Sequence, residues 1–274
     1  MKTFSKYWGF ISVVSLMILA AVLVRQSMKS NTYSDFFSPH LIEAKGPVQD
    51  LPPLLKEVDT ISCVGDSITY SNGDGTGYPS RLSQYLAVLF PDSKFTVLNK
   101  GISGEHSHEM LARFQEDAID TGAQLIIIFA GTNDVGHGFS NQYPDGDGPR
   151  GTSLPDYLKS MAQMIDLAQG AKRRVIVVTP PTIFEDAKNP MDMKLDEYCQ
   201  ALRKLAEEKA VPVADVRKAY LEIFTAYRNT CDAKDYLLTV DGVHPNSLGN
   251  KIVTECVLSS LGITADSRRN VIKY

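Results

Sequence analysis

The sequence predicts an open, doubly wound α/β/α sandwich on a five-stranded parallel sheet. From Val58 onward, short apolar runs alternate with segments of helical periodicity. The runs are apolar at consecutive positions, so both faces of each strand are covered, as in parallel sheets and unlike half-exposed antiparallel ones. Polar, glycine-bearing stretches follow the runs directly, where such a sheet places its ligands.

The elements follow in order. The first strand covers 60–64 (TISCV) and stops at Gly65. A helix over 78–90 carries Leu82, Tyr85, Leu86 and Leu89 on one face. The second strand spans 95–98 and ends at Asn99-Lys100-Gly101. Residues 108–119 form a helix. The run 125–130 (LIIIFA) is the most strand-like in the chain and ends at Gly131. The helix over 158–168 places Met161, Met164, Ile165 and Leu167 at helical spacing. The fourth strand, 175–178, is closed by Pro180-Pro181. A helix over 195–210 leads to a fifth strand over 211–216, and 246–261 is the closing helix. The crossovers between parallel strands must be right-handed.

The chain has 274 residues, 22% charged and 43% hydrophobic, which excludes a disordered or collagen-like protein. A net charge of −4 argues against a general nucleic-acid binder, which needs a basic surface to meet phosphates. Charge is unevenly spread. Residues 1–30 hold Lys2, Lys6, Arg25 and Lys29 and no acid, so the remainder is more acidic than the whole. Residues 7–24 are an uncharged apolar run behind Lys2 and Lys6, close to the roughly 20 residues that span a bilayer. No small-residue cleavage motif follows it, so 1–30 is expected to be an uncleaved signal anchor rather than a cleaved signal peptide. That places the domain on the membrane facing the periplasm or cell exterior, or in the secreted fraction if the segment is cut. Residues 31–57, with Pro39, Pro47, Pro52 and Pro53, read as a linker, 58–264 as the domain and 265–274 as a tail. Of the four cysteines, Cys63 lies in a predicted strand and is expected to be a buried thiol. The even count permits disulfides without showing them.

Four short motifs stand at predicted strand ends or before the last helix. Gly65-Asp66-Ser67-Ile68-Thr69 puts a serine at a tight strand-to-helix turn, with its own N–H at a helix start that favours negative charge. Asn99-Lys100-Gly101-Ile102-Ser103-Gly104 lets backbone approach a substrate. Gly131-Thr132-Asn133-Asp134 offers a carboxamide donor. Asp241-Gly242-Val243-His244-Pro245-Asn246 sets a carboxylate three residues before an imidazole. At that spacing Asp241 can accept the Nδ1–H and leave Nε2 as the base that a serine hydroxyl requires.

Taken in order, GDSIT, N-x-G-x-S-G, GTND and DGVHPN resemble the SGNH hydrolases, the GDSL-type esterases and lipases, over about residues 59–261. The resemblance implies a flavodoxin-like fold and ester hydrolysis without metal or organic cofactor. It implies Ser67 as nucleophile, His244 as base and Asp241 as its orienter. It implies Ser67 N–H, Gly104 N–H and the Asn133 side chain as the oxyanion hole. Glu105-His106 after Gly104 departs from the small acidic-plus-hydroxyl pair of many relatives and puts the shape of that rim in doubt.

Asp66 and Asp134 are expected to be structural partners of the loops. His106, His108 and His137 are expected to be solvated polar surface rather than a metal site, and Asp145-Gly146-Asp147-Gly148 a polar turn, lacking the downstream Glu of a calcium loop. The long segment 136–155 is either a rim of the cleft or a disordered surface excursion. Asn72 to Gly77 is a candidate for the opposite rim. The run GDSITYSNGDGTGYPSRL resembles the bacterial carbohydrate-esterase branch, and polar, tyrosine-bearing rim loops suit a sugar better than an acyl tail. O-deacetylation of an extracytoplasmic carbohydrate is the expected function. Lysophospholipase or thioesterase activity, glycan acetyl transfer and a non-catalytic glycan-binding module are the alternatives. The expected partners are an ester substrate and, through the N-terminal helix, a membrane.

Overall fold

A computed structural model describes residues 50–71, 75–228 and 236–263. The expected N-terminal anchor, most of the expected linker, Asn72, Gly73, Asp74, Cys231 and the expected C-terminal tail lie outside the described residues. Among the described residues, no helix is long and apolar enough to cross a membrane.

Five parallel strands form one sheet: β1 (Thr60–Gly65), β2 (Thr96–Gly101), β3 (Leu125–Phe129), β4 (Arg174–Val178) and β5 (Val213–Ala214), in the order β2-β1-β3-β4-β5. Gly65 pairs with Gly101 on one side and Phe129 on the other, so the first three strands end level. Strand order reverses at β1, since β2 lies on one side of it and β3 on the other. The crevice beyond such a reversal is where an open α/β sheet takes ligands.

Eight helices accompany these strands among the described residues: α1 (Ser67–Tyr70), α2 (Tyr78–Leu89), α3 (Ser107–Ala112), α4 (Thr132–Gly136), α5 (Leu154–Gly170), α6 (Pro190–Glu208), α7 (Val216–Arg228) and α8 (Ser247–Ser260). β3 is buried along its whole length, with Met161, Met164 and Ile165 of α5 and Leu195, Cys199 and Leu202 of α6 in the same core cluster. Burial pushes the Cys63 and Cys199 thiols up to about 12, which leaves both inert. Leu55, in a 3₁₀ turn over Pro53–Leu55, is fully buried.

The helix starts lie earlier than apolar periodicity predicts because capping, not packing, sets them. Ser153 caps α5 by accepting from the Asp156 N–H, and Asn189 caps α6 by accepting from the Met191 N–H. Pro155 and Pro190 occupy first-turn positions where a missing N–H costs nothing.

Three elements differ from expectation. β2 runs on through Asn99-Lys100-Gly101, paired residue by residue with β1. The predicted helix over 108–119 breaks at Arg113 and resumes as a π-helical turn over Gln115–Ile119. The fifth strand shrinks from 211–216 to two residues. Pro212 has no N–H for a ladder, and the Asp215 carboxylate accepts from the Lys218 N–H at the start of α7. α7 was not predicted, although Val216, Tyr220 and Phe224 recur at four-residue spacing and are buried.

Candidate active site

α1 begins immediately beyond β1. Asp66 caps it, with Oδ1 accepting from the Ile68 N–H at 2.9 Å. Ser67 therefore occupies the first helical position, and among the described residues its N–H has no acceptor. Asp66 is itself buried. Burial pushes its carboxyl up to about 7 against the pull of the Ile68 N–H, and the nearby Asp134 adds to the rise.

Ser67 Oγ lies 2.9 Å from His244 Nε2, although the two residues are 177 positions apart. His244 Nδ1 lies 2.7 Å from Asp241 Oδ2. A carboxylate only accepts, so the imidazole carries its proton on Nδ1 and presents Nε2 as an acceptor to the serine. Asp241 Oδ1 also accepts from the Val243 N–H at 2.9 Å and the His244 N–H at 2.8 Å. Partial burial opposes ionisation of Asp241, but hydrogen bonds from the His244 N–H, its ring and the Val243 N–H outweigh it. They hold the carboxyl below its usual range. The His244 and Asp241 side chains are 45% and 50% exposed, so the site opens directly to solvent.

The loop after β2 is tied to the same crevice. Ile102 N–H donates to the Gly65 carbonyl at 3.0 Å. Gly101 must be glycine, because a Cβ would sit 2.2 Å from the Tyr70 backbone nitrogen. Gly104 has φ of +84°, a left-handed conformation that strains other residues, while open space surrounds it. Its N–H has no acceptor among the described residues. Asn133, in the first turn of α4, donates from Nδ2 to the Glu105 carbonyl at 2.9 Å. The second hydrogen on Nδ2 remains for a ligand. Asn99 ties the parts together. Its Nδ2 donates to the Thr69 carbonyl at 2.9 Å and its Oδ1 accepts from the Gly101 N–H at 3.0 Å.

The unusual Glu105-His106 pair has a structural account. Arg113 holds Glu105 through Nε at 2.8 Å and Nη2 at 2.6 Å, pairs with Asp117 at 2.6 Å, and donates from Nη2 to the Gly65 carbonyl at 3.1 Å. One guanidinium thus braces the loop beside Gly104 against the end of β1. Sequence reasoning missed Arg113 because it falls inside an apparent helix; a break in that helix's apolar pattern was its only signal.

His106 is buried rather than solvated surface, which corrects the expectation. Its Nε2 lies 2.7 Å from His137 Nδ1 and its Nδ1 lies 3.0 Å from Thr152 Oγ1. Burial, with the charges of His106 and Arg150, lowers the His137 pKa. Asp134, also buried, accepts from the Ser107 N–H and from Ser107 Oγ at 2.6 Å, a structural role as expected. The segment after α4 is compact: Gly148 N–H donates to Gly138 O, Thr152 N–H to Asp134 O, and Lys194 pairs with Asp147. A separate groove of about 630 Å³ lies against α7 and α8, lined by Asp215, Lys218, Glu222 and Cys256. None of Ser67, Asp241 or His244 lines it.

A doubly wound sheet with a serine, an imidazole and a carboxylate in hydrogen-bonded series beyond its switch point defines an ester hydrolase of the SGNH class. Residues 63–252 match the model of the GDSL-like lipase/acylhydrolase family, and the chain belongs to that family. It is 26% identical over 210 residues to an acetylxylan esterase of Geobacillus stearothermophilus, covering 73% of this chain and 92% of that one. It is 27% identical over 207 residues to the isoamyl acetate-hydrolyzing esterase of Saccharomyces cerevisiae, covering 69% and 79%. The crystal structure of the Geobacillus acetylxylan esterase superposes with a TM-score of 0.65 at 25% identity, over 75% of this chain and 95% of that one.

Proposed function

We propose that the protein removes small acyl groups, acetyl foremost, from a carbohydrate outside the cytoplasm, with Ser67 as nucleophile. The observation that carries this is the 2.9 Å approach of Ser67 Oγ to His244 Nε2, with Asp241 fixing the ring from behind. Ser67 Oγ attacks the ester carbonyl as its proton passes to His244 Nε2. The oxyanion that forms is held by Ser67 N–H, Gly104 N–H and the unspent Asn133 Nδ2–H. His244 then gives the proton to the departing alcohol oxygen, leaving acyl-Ser67. Water, deprotonated by the same nitrogen, releases the acid and restores the serine.

Two lines support the substrate class. Half-exposed His244 and Asp241 suit an ester carried on a bulky polymer better than a chain drawn into a tunnel. Relatives named for acetylxylan and for isoamyl acetate share a small acyl group with different alcohols. Placement outside the cytoplasm, on a membrane or secreted, rests on the charge-free run at 7–24 behind two lysines.

The test is release of acetate from a panel of acetylated glycans, with Ser67→Ala as control, beside p-nitrophenyl acetate and octanoate. Acetate release that vanishes in the alanine variant is expected. A marked octanoate preference would replace the glycan reading with lysophospholipase or thioesterase activity. Acetyl appearing on an added sugar acceptor rather than in water would make the enzyme a transferase.

A further inference from the structure

The segment that carries Asp241 and His244 is held from below by a carboxylate that no motif contains. Glu185 lies between β4 and α6 and is buried. Its Oε2 accepts from the Leu237 N–H at 2.7 Å. Its Oε1 accepts from the Leu238 N–H at 2.7 Å, the Thr239 N–H at 2.9 Å and Thr239 Oγ1 at 2.8 Å. The residue before it adds a fifth tie, Phe184 N–H to the Gly242 carbonyl at 2.6 Å. These contacts grip the segment at its base, 237–239, and at its tip beside Asp241.

The rest of the segment is shaped so that this grip sets the position of the imidazole. Val240 N–H donates to the His244 carbonyl and Asn246 N–H to the Leu238 carbonyl, each at 2.9 Å. Residues 238–246 thus form a narrow loop with Asp241 and His244 at its end. Phe184 and Glu185 both adopt left-handed φ, +57° and +49°, a conformation that strains non-glycine residues. That strain turns the Phe184 N–H and the Glu185 carboxylate toward one loop. The turn is anchored in its turn by the Ile183 N–H, which donates at 2.6 Å to buried Asp192.

We infer that Glu185 is a positioning residue for the reaction, fixing the distance between His244 Nε2 and Ser67 Oγ. It touches neither substrate nor the reacting atoms. The inference rests on Ser67 as the proposed nucleophile, and its test separates the two.

The readout is the rate at which a fluorophosphonate phosphonylates the serine: Ser67 Oγ bonds to phosphorus, fluoride leaves, and His244 takes the hydroxyl proton. Wild type, Glu185→Gln and Ile165→Val are compared at a temperature where melting curves show all three folded. Ile165 is buried in the α5 core, makes none of the hydrogen bonds that hold the loop, and reports plain loss of stability. Because a misplacement of about 1 Å can cost roughly 10²-fold, Glu185→Gln is expected to slow labelling at least about tenfold. Its KM for p-nitrophenyl acetate should stay near wild type while kcat falls, and Ile165→Val should label at the wild-type rate. Equal labelling of wild type and Glu185→Gln would overturn the positioning role. No labelling of wild type at all would instead overturn Ser67 as nucleophile. If Glu185→Gln does not fold, Glu185→Asp carries the test, since it keeps the carboxyl group but withdraws it by one methylene; labelling equal to wild type would again overturn the role.

Discussion

Asn133 Nδ2 and the Glu105 carbonyl oxygen are joined at 2.9 Å, so the side chain after β3 is pinned to the loop after β2. The two strands are not neighbours in the sheet; β1 lies between them. The bond therefore spans the crevice above β1, where Ser67 stands. It sets the direction of the remaining Asn133 N–H relative to Gly104, and Arg113 steadies the loop from its other side.

Replacing Asn133 by alanine removes one donor and this tie together. One oxyanion donor is worth roughly 10²–10³ in kcat, about 3–4 kcal/mol. Asn133→Ala is expected to lose at least that in kcat/KM on p-nitrophenyl acetate while its melting temperature changes little. A loss under tenfold would remove Asn133 from the oxyanion hole.

Asp241 acts on the reaction through His244 and not by its own titration. Hydrogen bonds hold the Asp241 carboxyl below its ordinary range, so it stays charged between pH 5 and 8 and produces no limb there. A protonated His244 Nε2 cannot accept the serine proton, so only the ring with Nε2 free serves as base. Asp241→Asn puts an amide opposite Nδ1 and lets the ring settle in the wrong tautomer, a loss on the order of 10²–10⁴-fold in kcat. A kcat for Asp241→Asn within tenfold of wild type would contradict the orienting role.

Much of this was legible in the sequence because the chemistry sits in contiguous words at strand ends. Ser67, Asn133 and His244 could be placed from local patterns, and buried β3 announced itself in LIIIF. What escaped was nonlocal or governed by main-chain satisfaction. Arg113 and Glu185 act on segments 48 and 52 or more positions away, and neither lies in a motif. β5 was overcalled because Val211 and Val213 look strand-like, whereas Pro212 and a capping Asp215 stop the ladder. His106 was misplaced because H-x-H spacing says nothing of His137, 31 residues on, which covers it.

Asp66 makes an unusual contribution to stability. With a folded pKa raised to about 7 from an ordinary carboxylate value, its protonated form favours the native state. That stability is fully present below the unfolded pKa and is lost as pH rises through about 7. Asp66→Asn keeps an oxygen for the Ile68 N–H and cannot ionise. Its melting temperature should exceed that of wild type by more at pH 8 than at pH 4.5. The same difference at both pH values would show that Asp66 does not titrate in this window.

Arg217 and Asp192 give the sharpest test of how the far side of the sheet supports the site. Arg217, at the start of α7, meets Asp192 in a bidentate pair, Nη1 to Oδ1 at 3.1 Å and Nη2 to Oδ2 at 2.8 Å, with almost no exposure of either. The same Asp192 Oδ1 receives the Ile183 N–H, two residues before Glu185. Removing one partner strands a buried charge and costs about 3–5 kcal/mol. Asp192→Ala, which removes both the charge and the oxygen that accepts the Ile183 N–H, is therefore expected to lower the melting temperature steeply. At temperatures where it stays folded it should also lower kcat, because the turn bearing Phe184 and Glu185 loses its anchor. Asp196 pairs with the same guanidinium through Nε at 2.7 Å but is 36% exposed, and such pairs are worth under about 1 kcal/mol. Asp196→Asn should leave both quantities near wild type. Equal effects from the two substitutions would mean that Arg217 is merely one charge among several, and that nothing passes from it to the loop carrying His244.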